Sequence, residues 1–273
     1  MRIALAKKLT SLAFCFLVLH FVGCSGPLER DFQEAQKNAS LGNFRKAVQL
    51  FEQVILRDTT SPSAIQSMKE GARLSFLEIK DYARAAQFYQ KIIKYSPDEA
   101  DRTEAQKQLA SLYFESLQDY DRAAVEYSKL ATSSRLESEK AEHKLSVARS
   151  YYYIGNYFQT LSEITEILKL KSNQETEFHA LLLNGNVFVA QKKFEEAAKI
   201  FQGLTSRFPE KSLLENVHLV LSLSLEESGD FKKALATLES IKEVYQPKEY
   251  LDLRIKRIQE RAKNQPGAKG YRK

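Results

Sequence analysis

One aromatic residue recurs along this chain at intervals of 37 or 38 residues. The positions are Phe44, Tyr82, Tyr120, Tyr157, Phe194 and Phe231. A fixed period of this size indicates one small structural unit that is copied and stacked. Each copy leaves a hydrophobic face open until a neighbour covers it. The pattern therefore predicts an elongated stack with a long binding surface, and it favours interaction over catalysis.

Each unit is predicted to be a helix, a turn and a second helix. After Phe44, the residues Ala47, Phe51 and Val54 follow at offsets of three, seven and ten, which place them on one helical face. The other five units repeat this spacing, with Thr160 in place of the small Ala. Before the aromatic, a small residue nine positions back and a large apolar residue six positions back predict the first helix. Arg73 and Asn38 are the exceptions.

Turn and capping signals separate the helices. The turn pairs are Gly42-Asn43, Lys80-Asp81, Gln118-Asp119, Gly155-Asn156 and Gly229-Asp230, and Gly and Asn tolerate the backbone that such turns need. Ser-x-x-Glu capping boxes at Ser96, Ser134, Ser172 and Ser212 predict where four first helices begin. Ser61-Pro62 predicts the start of another.

The pattern resembles the tetratricopeptide repeat family over roughly residues 28–245. The matching features are the small position, the Tyr/Phe position, the turn aromatic, the Ala-x-x-x-Phe second helix, and the helix-ending Pro97 and Pro209. The resemblance implies an all-α, right-handed solenoid of about thirteen helices. We expect six repeats over 28–246, an amphipathic capping helix over 247–264, and a disordered basic tail over 265–273.

The N-terminus is predicted to be a processing segment. Residues 1–23 combine basic residues with an apolar run over 9–22 that is short for a membrane span, as in a signal peptide. The run ends in Phe21-Val22-Gly23-Cys24, which resembles the bacterial lipobox although Phe21 replaces the usual Leu. This resemblance implies a lipid on Cys24, a short tether over 24–27, and a location at the outer membrane facing the periplasm. An uncleaved anchor and ordinary signal cleavage are the alternatives.

The sequence shows none of the common catalytic or metal-binding motifs. Cys15 and Cys24 are the two cysteines, so the predicted mature chain has no free thiol and no disulfide. His143, His179 and His218 are spaced near the repeat period, but no second metal-ligand motif accompanies them, and we interpret them as surface or groove histidines. No phosphate-binding glycine loop or nucleophile motif is present. We predict a protein that is not an enzyme and needs no cofactor or metal.

The family resemblance implies that ligands meet the residues eight, five and four positions before each turn aromatic. In the third to sixth repeats these include Leu112, Glu115, Arg149, Tyr152, Tyr153, Asn186 and Glu226. Arg149, Tyr152 and Tyr153 form the group most typical of a binding hot spot. The alternative is that Tyr152 or Tyr153 packs inside the helix. We interpret the adjacent pair Glu226-Glu227 as solvated.

Positive charge is concentrated at the C-terminal end. Residues 252–273 contain eight basic and two acidic residues, within a chain of net charge +6. An anionic membrane surface, an acidic partner and a merely solvated capping helix are all compatible with this charge. Nucleic acid is not an expected partner.

These features predict a membrane-anchored periplasmic scaffold that binds protein or peptide partners in its groove. The anchored array resembles the lipoprotein subunit of outer-membrane β-barrel assembly and the repeat proteins associated with the Tol–Pal system, so a role in outer-membrane protein assembly is the first interpretation. The alternative is a docking or accessory factor for cell-wall or polysaccharide machinery.

Overall fold

The computed structural model describes residues 26–264. Over this range the chain forms fourteen α-helices and two short π-helical turns, with no strand. The all-α prediction is confirmed. The chain divides after Asp81 into two compact units.

The first unit is a stack of three helices. It contains α1 (Pro27–Ser40), α2 (Phe44–Arg57), α3 (Pro62–Leu74) and a π-helical turn at Ser75–Ile79. Helix α2 packs against both α1 and α3. The rings of Phe32 and Phe51 lie 6.0 Å apart, and the buried Met68 is also part of this core.

The second unit continues the alternation of helices and turns. It contains α4 (Tyr82–Tyr95), α5 (Glu99–Ser111), a π-helical turn (Leu112–Ser116), α6 (Tyr120–Ser133), α7 (Glu137–Tyr153), α8 (Tyr157–Ile167), α9 (Gln174–Ala190), α10 (Phe194–Arg207), α11 (Pro209–Leu214), α12 (Val217–Glu227), α13 (Phe231–Glu239) and α14 (Lys248–Lys263). Consecutive long helices pack side by side along the chain. Apolar side chains from α9 to α14 form one continuous core around Phe178, Phe201 and Leu238.

A left-handed residue ends the first helix of every pair. These residues are Gly42, Lys80, Gln118, Gly155, Lys192 and Gly229, all with positive φ. In the first pair the amide of Asn43 donates to the carbonyl of Asn38 at 2.9 Å, and Gly42 donates to Ala39. This is the Schellman arrangement, which satisfies the last carbonyls of a helix. The residue after the left-handed one then starts the second helix, and Asp119, Asn156 and Asp230 also cap it with their side chains.

The two π-helical turns explain why two of the intervals between successive turn aromatics are 38 residues long and the other three are 37. Both lie at the end of a first helix, immediately before Tyr82 and Tyr120. There the closing bond spans one more residue, from the amide of Asp119 to the carbonyl of Tyr113 at 2.8 Å. The buried small position is consequently ten residues before the aromatic, at Ala72 and Ala110. Arg73 is therefore not an exception to the small-residue rule, because counting back nine positions missed the inserted residue.

The predicted capping boxes are wrong in detail, although Ser61 does cap α3. Asp98 caps α5 in place of Ser96, and Asn173 caps α9 in place of Ser172. Helix α7 has no side-chain cap, and Ser134 instead donates to the carbonyl of Leu130. In each case a nearer Asp or Asn, or the preceding helix, provides the local hydrogen bond.

The first helix of the sixth repeat is broken, which raises the helix count above the thirteen expected. Pro209 begins α11 immediately after α10, so Ser212 lies inside a helix, where it is buried. Asn216 then adopts a left-handed conformation and α12 begins at Val217. Pro favours the first helical position and Asn tolerates positive φ, so the two residues start and stop this short helix.

Candidate partner-binding surface

Six aromatic side chains gather where the π-helical turn at Leu112–Ser116 meets α6, α7 and α8. We call them the aromatic cluster: Phe114, Tyr120, Tyr127, Tyr152, Tyr153 and Tyr157. Tyr153 stacks on Tyr120 with ring centroids 4.9 Å apart and an interplanar angle of 16°. Phe114 meets both rings edge-on, at 5.6 Å from Tyr153 and 5.3 Å from Tyr120. These are favourable geometries for aromatic pairs.

The aromatic cluster is only partly covered. Tyr153 is 58% exposed although it contacts three other rings. Tyr152 is half-buried and packs against the core formed by α7, α8 and α9. The two adjacent tyrosines therefore differ: Tyr152 joins the surface to the interior, while Tyr153 presents a ring to solvent. A rigid, partly exposed aromatic face is typical of a binding hot spot.

Two charged residues border the aromatic cluster. Glu115 is exposed on the π-helical turn and Arg149 is half-buried on α7. Burial raises the pKa of the Tyr127 hydroxyl, Glu115 raises it further, and Arg149 opposes the shift. Both charges therefore lie close enough to Tyr127 to act on its hydroxyl. Within residues 26–264 neither Glu115 nor Arg149 forms an ion pair, so both remain able to bind a charged partner group.

Burial also raises the pKa of the Tyr152 hydroxyl, with smaller contributions from Tyr157 and Tyr153. The raised pKa values keep the hydroxyl groups of Tyr127 and Tyr152 protonated at physiological pH, so both can donate and accept hydrogen bonds. The surface combines flat apolar area, hydroxyl groups, a carboxylate and a guanidinium. This set of groups suits recognition of a polypeptide segment.

Asn186 lies on α9 and is half-buried. In the described part of the chain, no ring contact, hydrogen bond or ion pair links it to Arg149 or to the aromatic cluster. Its predicted partner contact thus belongs to a different part of the second unit and stays a prediction.

Glu226 has a different environment from the one we expected. It is 4% exposed, and its carboxylate binds Arg254 at 2.5 Å and Arg261 at 2.9 Å, both from α14. The interpretation of the pair as solvated is therefore wrong for Glu226, whereas Glu227 is exposed as expected, although it also pairs with Arg261. These pairs hold the pKa of Arg261 above its ordinary value, with Glu227 as the larger cause. In this position Glu226 holds the terminal helix, and its contact with a partner stays a prediction.

The family resemblance places a groove residue eight positions before each turn aromatic, which predicts Leu112 from Tyr120. Leu112 is, however, only 2% exposed. The π-helical turn adds one residue between the small position and the turn. Counting back from Tyr120 without the inserted residue therefore assigns Leu112 to the groove, whereas its side chain faces the interior. The fourth repeat has no such insertion, and there the count brings Arg149 and Tyr153 to the surface.

Sequence reasoning misses the contributions of Phe114, Tyr120 and Tyr127. The repeat pattern assigns their positions to packing within one repeat, and they do pack. What the pattern does not reveal is that Tyr153 of the following repeat stacks on Tyr120 and meets Phe114 edge-on. The run Tyr151-Tyr152-Tyr153 is the signal that could have indicated excess aromatic surface at this joint.

The histidines lie on α7, α9 and α12, as their spacing predicted. Burial lowers the pKa of His143 and of His218, and Lys107 lowers that of His143 further. His179 bonds to Glu175 at 2.7 Å. Among residues 26–264, no group of three His, Cys, Asp or Glu side chains is arranged to hold a metal ion.

The predicted signal peptide, the lipidation site Cys24 and the tail at 265–273 lie outside the described residues. None of the helices between 26 and 264 is both long enough and apolar enough to cross a bilayer.

Comparison with known proteins agrees with the fold. Tetratricopeptide repeat models match residues 32–100 and 179–211. No curated protein matches the chain.

Solved structures share the fold at low sequence identity. A tetratricopeptide repeat protein from Parabacteroides merdae superposes with a TM-score of 0.53 and 17% identity over 85% of this chain and 87% of its own. PilW, described as a widely conserved type IV pilus biogenesis factor, gives 0.54 and 14% over 84% and 98%. YrrB, described as having an unusual peptide-binding site, gives 0.50 and 17% over 76% and 97%. The fold of this chain is therefore tetratricopeptide-repeat-like.

Proposed function

We propose that this chain is a lipid-anchored protein-interaction scaffold of a bacterial cell envelope, which captures partner proteins at the aromatic cluster. The observation that carries the proposal is Tyr153, a ring held by three aromatic contacts yet more than half exposed. Glu115 and Arg149, which form no ion pair among the described residues, lie at the same surface and supply charge for orientation. A tyrosine ring that is already held by neighbouring rings loses little conformational entropy when a partner binds.

The binding surface is tested by crosslinking in cells. A photoreactive phenylalanine analogue replaces Tyr153. The control carries the analogue at Phe158, which is 79% exposed on α8 and makes no ring contact with the aromatic cluster among the described residues. We expect discrete crosslinked partners from Tyr153 and few from Phe158. Equal products from both positions would contradict a dedicated surface at Tyr153.

Substitutions add a measure of affinity. Arg149→Ala and Tyr153→Ala are each expected to weaken capture of the identified partner by about thirtyfold, the effect of a hot spot of about 2 kcal/mol. Phe158→Ala should leave capture unchanged. Circular dichroism must show that all three variants stay folded. An unchanged pull-down with folded Arg149→Ala removes that residue from the site.

We propose outer-membrane protein assembly as the process that the scaffold serves. Support comes from the sequence, which resembles that of anchored repeat lipoproteins at its start and along its repeats. Recovery of β-barrel proteins by the Tyr153 crosslinker supports this role. Recovery of wall synthases instead favours docking of cell-wall machinery.

The anchor is tested separately from the partner. The lipobox-like Phe21-Val22-Gly23-Cys24 predicts that the mature protein begins at Cys24 and carries fatty acyl chains. Mass spectrometry of the purified protein should show this added mass, and Cys24→Ala should abolish it together with membrane retention. A mature protein of unmodified mass would remove the anchor from the proposal.

A further inference from the structure

A recess lies between α12 and the terminal helix α14, away from the aromatic cluster. The recess has a volume of about 440 Å³, and we call it the terminal cleft. Leu219 and Leu223 of α12 and Leu253 of α14 line it. Tyr250 and Leu253 are about half exposed. The terminal cleft therefore offers apolar surface that this chain leaves partly in contact with water.

Two guanidinium groups line the same cleft. Arg257 is exposed and forms no ion pair among residues 26–264. Arg254 is held by Glu226 through one nitrogen, and its side chain is 23% exposed. Because an arginine carries five N–H donors, Arg254 keeps donors for a second acceptor. The buried carboxylate of Glu226 thus fixes one arginine in place at the wall of the cleft.

The charge of the terminal helix indicates what kind of molecule would bind in the terminal cleft. Helix α14 contains six basic and three acidic residues. The segment at 265–273 carries further basic residues and no acid, so its own charge disfavours it as an occupant. A flat membrane surface does not reach apolar groups that are recessed between two helices. The chemistry that fits both the apolar residues and the arginines is a polypeptide segment with acidic and leucine-type side chains.

We propose that the terminal cleft binds such an acidic, leucine-bearing peptide segment, with a carboxylate on Arg257 and Arg254 and apolar side chains against Leu219, Leu223 and Leu253. The proposal rests on the protein-interaction function and adds a second site with its own partner chemistry. Among the described residues that line the cleft, Glu215 is the one carboxylate, and it sets a limit on how much negative charge the segment carries.

The chain has no tryptophan, so Tyr250→Trp places a single fluorescent reporter in the cleft. The probe is a short synthetic peptide of alternating leucine and glutamate. One control peptide has lysine for glutamate, and another has serine for leucine. We expect the acidic leucine peptide to change the tryptophan emission and to bind at least about tenfold more tightly than either control, because each control removes one of the two recognition elements. Calorimetry with the unsubstituted protein checks that the reporter does not create the site.

Matched variants of α14 locate the binding. Arg257→Glu is expected to weaken binding of the acidic leucine peptide by about tenfold or more. Lys256→Glu makes an equal charge change on an exposed neighbour that does not line the cleft, and it should change the affinity by less than about threefold. Glu215→Gln should strengthen binding about two- to threefold because it removes a repulsive carboxylate. Equal effects of Arg257→Glu and Lys256→Glu, or equal binding of the lysine peptide, would overturn the proposal.

Two further measurements complete the test: the response of the reporter to lipid vesicles, and peptide binding by variants of the aromatic cluster. If vesicles of phosphatidylglycerol alter the emission of the Tyr250→Trp reporter and both charge reversals weaken that response equally, the basic helix is a membrane contact and the peptide site is refuted. Arg149→Ala and Tyr153→Ala should leave peptide binding unchanged. Loss of partner capture at the aromatic cluster with intact peptide binding, or the reverse, shows which of the two proposals has failed.

Discussion

Among residues 26–264, six adopt the left-handed conformation at the same position of the repeat, but only three of the six are glycine. Lys80, Gln118 and Lys192 adopt it with a full side chain. For a residue with a Cβ atom this conformation costs about 1 kcal/mol more than for glycine. The geometry of the turn, set by the two helices it joins, therefore prevails over the local preference of these three residues.

Replacing one of these residues with glycine should stabilise the protein. Lys192→Gly is expected to raise the free energy of unfolding by about 0.5–1 kcal/mol, because the relief of backbone strain exceeds the added entropy of the unfolded chain. Urea unfolding followed by circular dichroism measures the change. The matched control is Gly155→Ala, whose Cβ would meet no atom within 4 Å, so only the backbone term acts. This control should destabilise by about 1 kcal/mol; two changes of the same sign would refute the explanation.

Two helical glycines make a second pair with opposite outcomes. A Cβ on Gly185 would lie 2.3 Å from a ring carbon of the fully buried Phe201, whereas a Cβ on Gly203 would meet nothing within 4 Å. Gly185→Ala should therefore lower the free energy of unfolding by about 1–3 kcal/mol through overpacking. Gly203→Ala should raise it by up to about 1 kcal/mol through helix propensity. Thermal melts of the two variants decide the point, and a neutral Gly185→Ala would mean that Phe201 moves freely.

At the level of helices, the two π-helical turns show how the repeat absorbs an extra residue. The insertion is confined to the last turn of the first helix, and the left-handed residue and turn aromatic still follow it. In the third repeat this same turn carries Phe114 and Glu115, which take part in the candidate binding surface. π-Helical turns often occur at functional sites, and here the turn orients an aromatic ring towards Tyr153.

The docking of α14 depends on one buried carboxylate. Glu226→Gln leaves Arg254 and Arg261 without their shared anion. Loss of a buried partner costs several kcal/mol, but both arginines reach water, so we expect a loss of about 2 kcal/mol in unfolding free energy. Hydrogen exchange should also become faster in α14 than in the other helices. Unchanged protection of α14 would mean that its apolar residues alone hold it.

The control for this prediction is another acidic residue near the same helix. Glu243 is 89% exposed and lies 3.9 Å from Lys248. Glu243→Gln should change the free energy of unfolding by less than about 0.5 kcal/mol, as expected for an exposed pair. Similar losses from Glu226→Gln and Glu243→Gln would point to a general charge effect.

At the scale of the whole molecule, residues 26–264 contain no cysteine, so packed helices and not disulfides hold this part of the chain together. The second unit contains two half-buried histidines, on different helices, whose pKa values are lowered mainly by burial. In the unfolded chain a histidine has a pKa of about 6.5 and binds a proton more readily. Acid therefore favours the unfolded state through these groups.

We expect the melting temperature to fall as the pH is lowered from about 7.5 through 6.5 towards the lowered pKa values of the folded state. His218→Gln should reduce the size of this fall, since glutamine does not titrate. Adding His143→Gln should reduce it further. Scanning calorimetry over this pH range measures the slopes. Identical slopes for the wild type and the double variant would show that other groups govern the acid response.

Much of the fold follows from local patterns in the sequence. The 3.6-residue periodicity predicts the two helices of each repeat, though not the break between α11 and α12, and the paired turn residues predict where the chain reverses, because both depend on neighbours along the backbone. The all-α fold can therefore be predicted, as can the left-handed residues at Gly42, Gly155 and Gly229. The candidate surface is predictable in part, through Arg149 and Tyr153, because the fourth repeat contains no insertion.

The remaining features depend on contacts between residues far apart in the chain. Whether Glu226 is solvated depends on α14, which packs over it and supplies two arginines from 28 and 35 positions later. Whether Tyr153 forms a binding face depends on Tyr120 and Phe114 of the preceding repeat. Burial and charge pairing are properties of the assembled surface, so a periodic pattern names the residues on a helix face but only the packed helices decide which of them stay open to a partner.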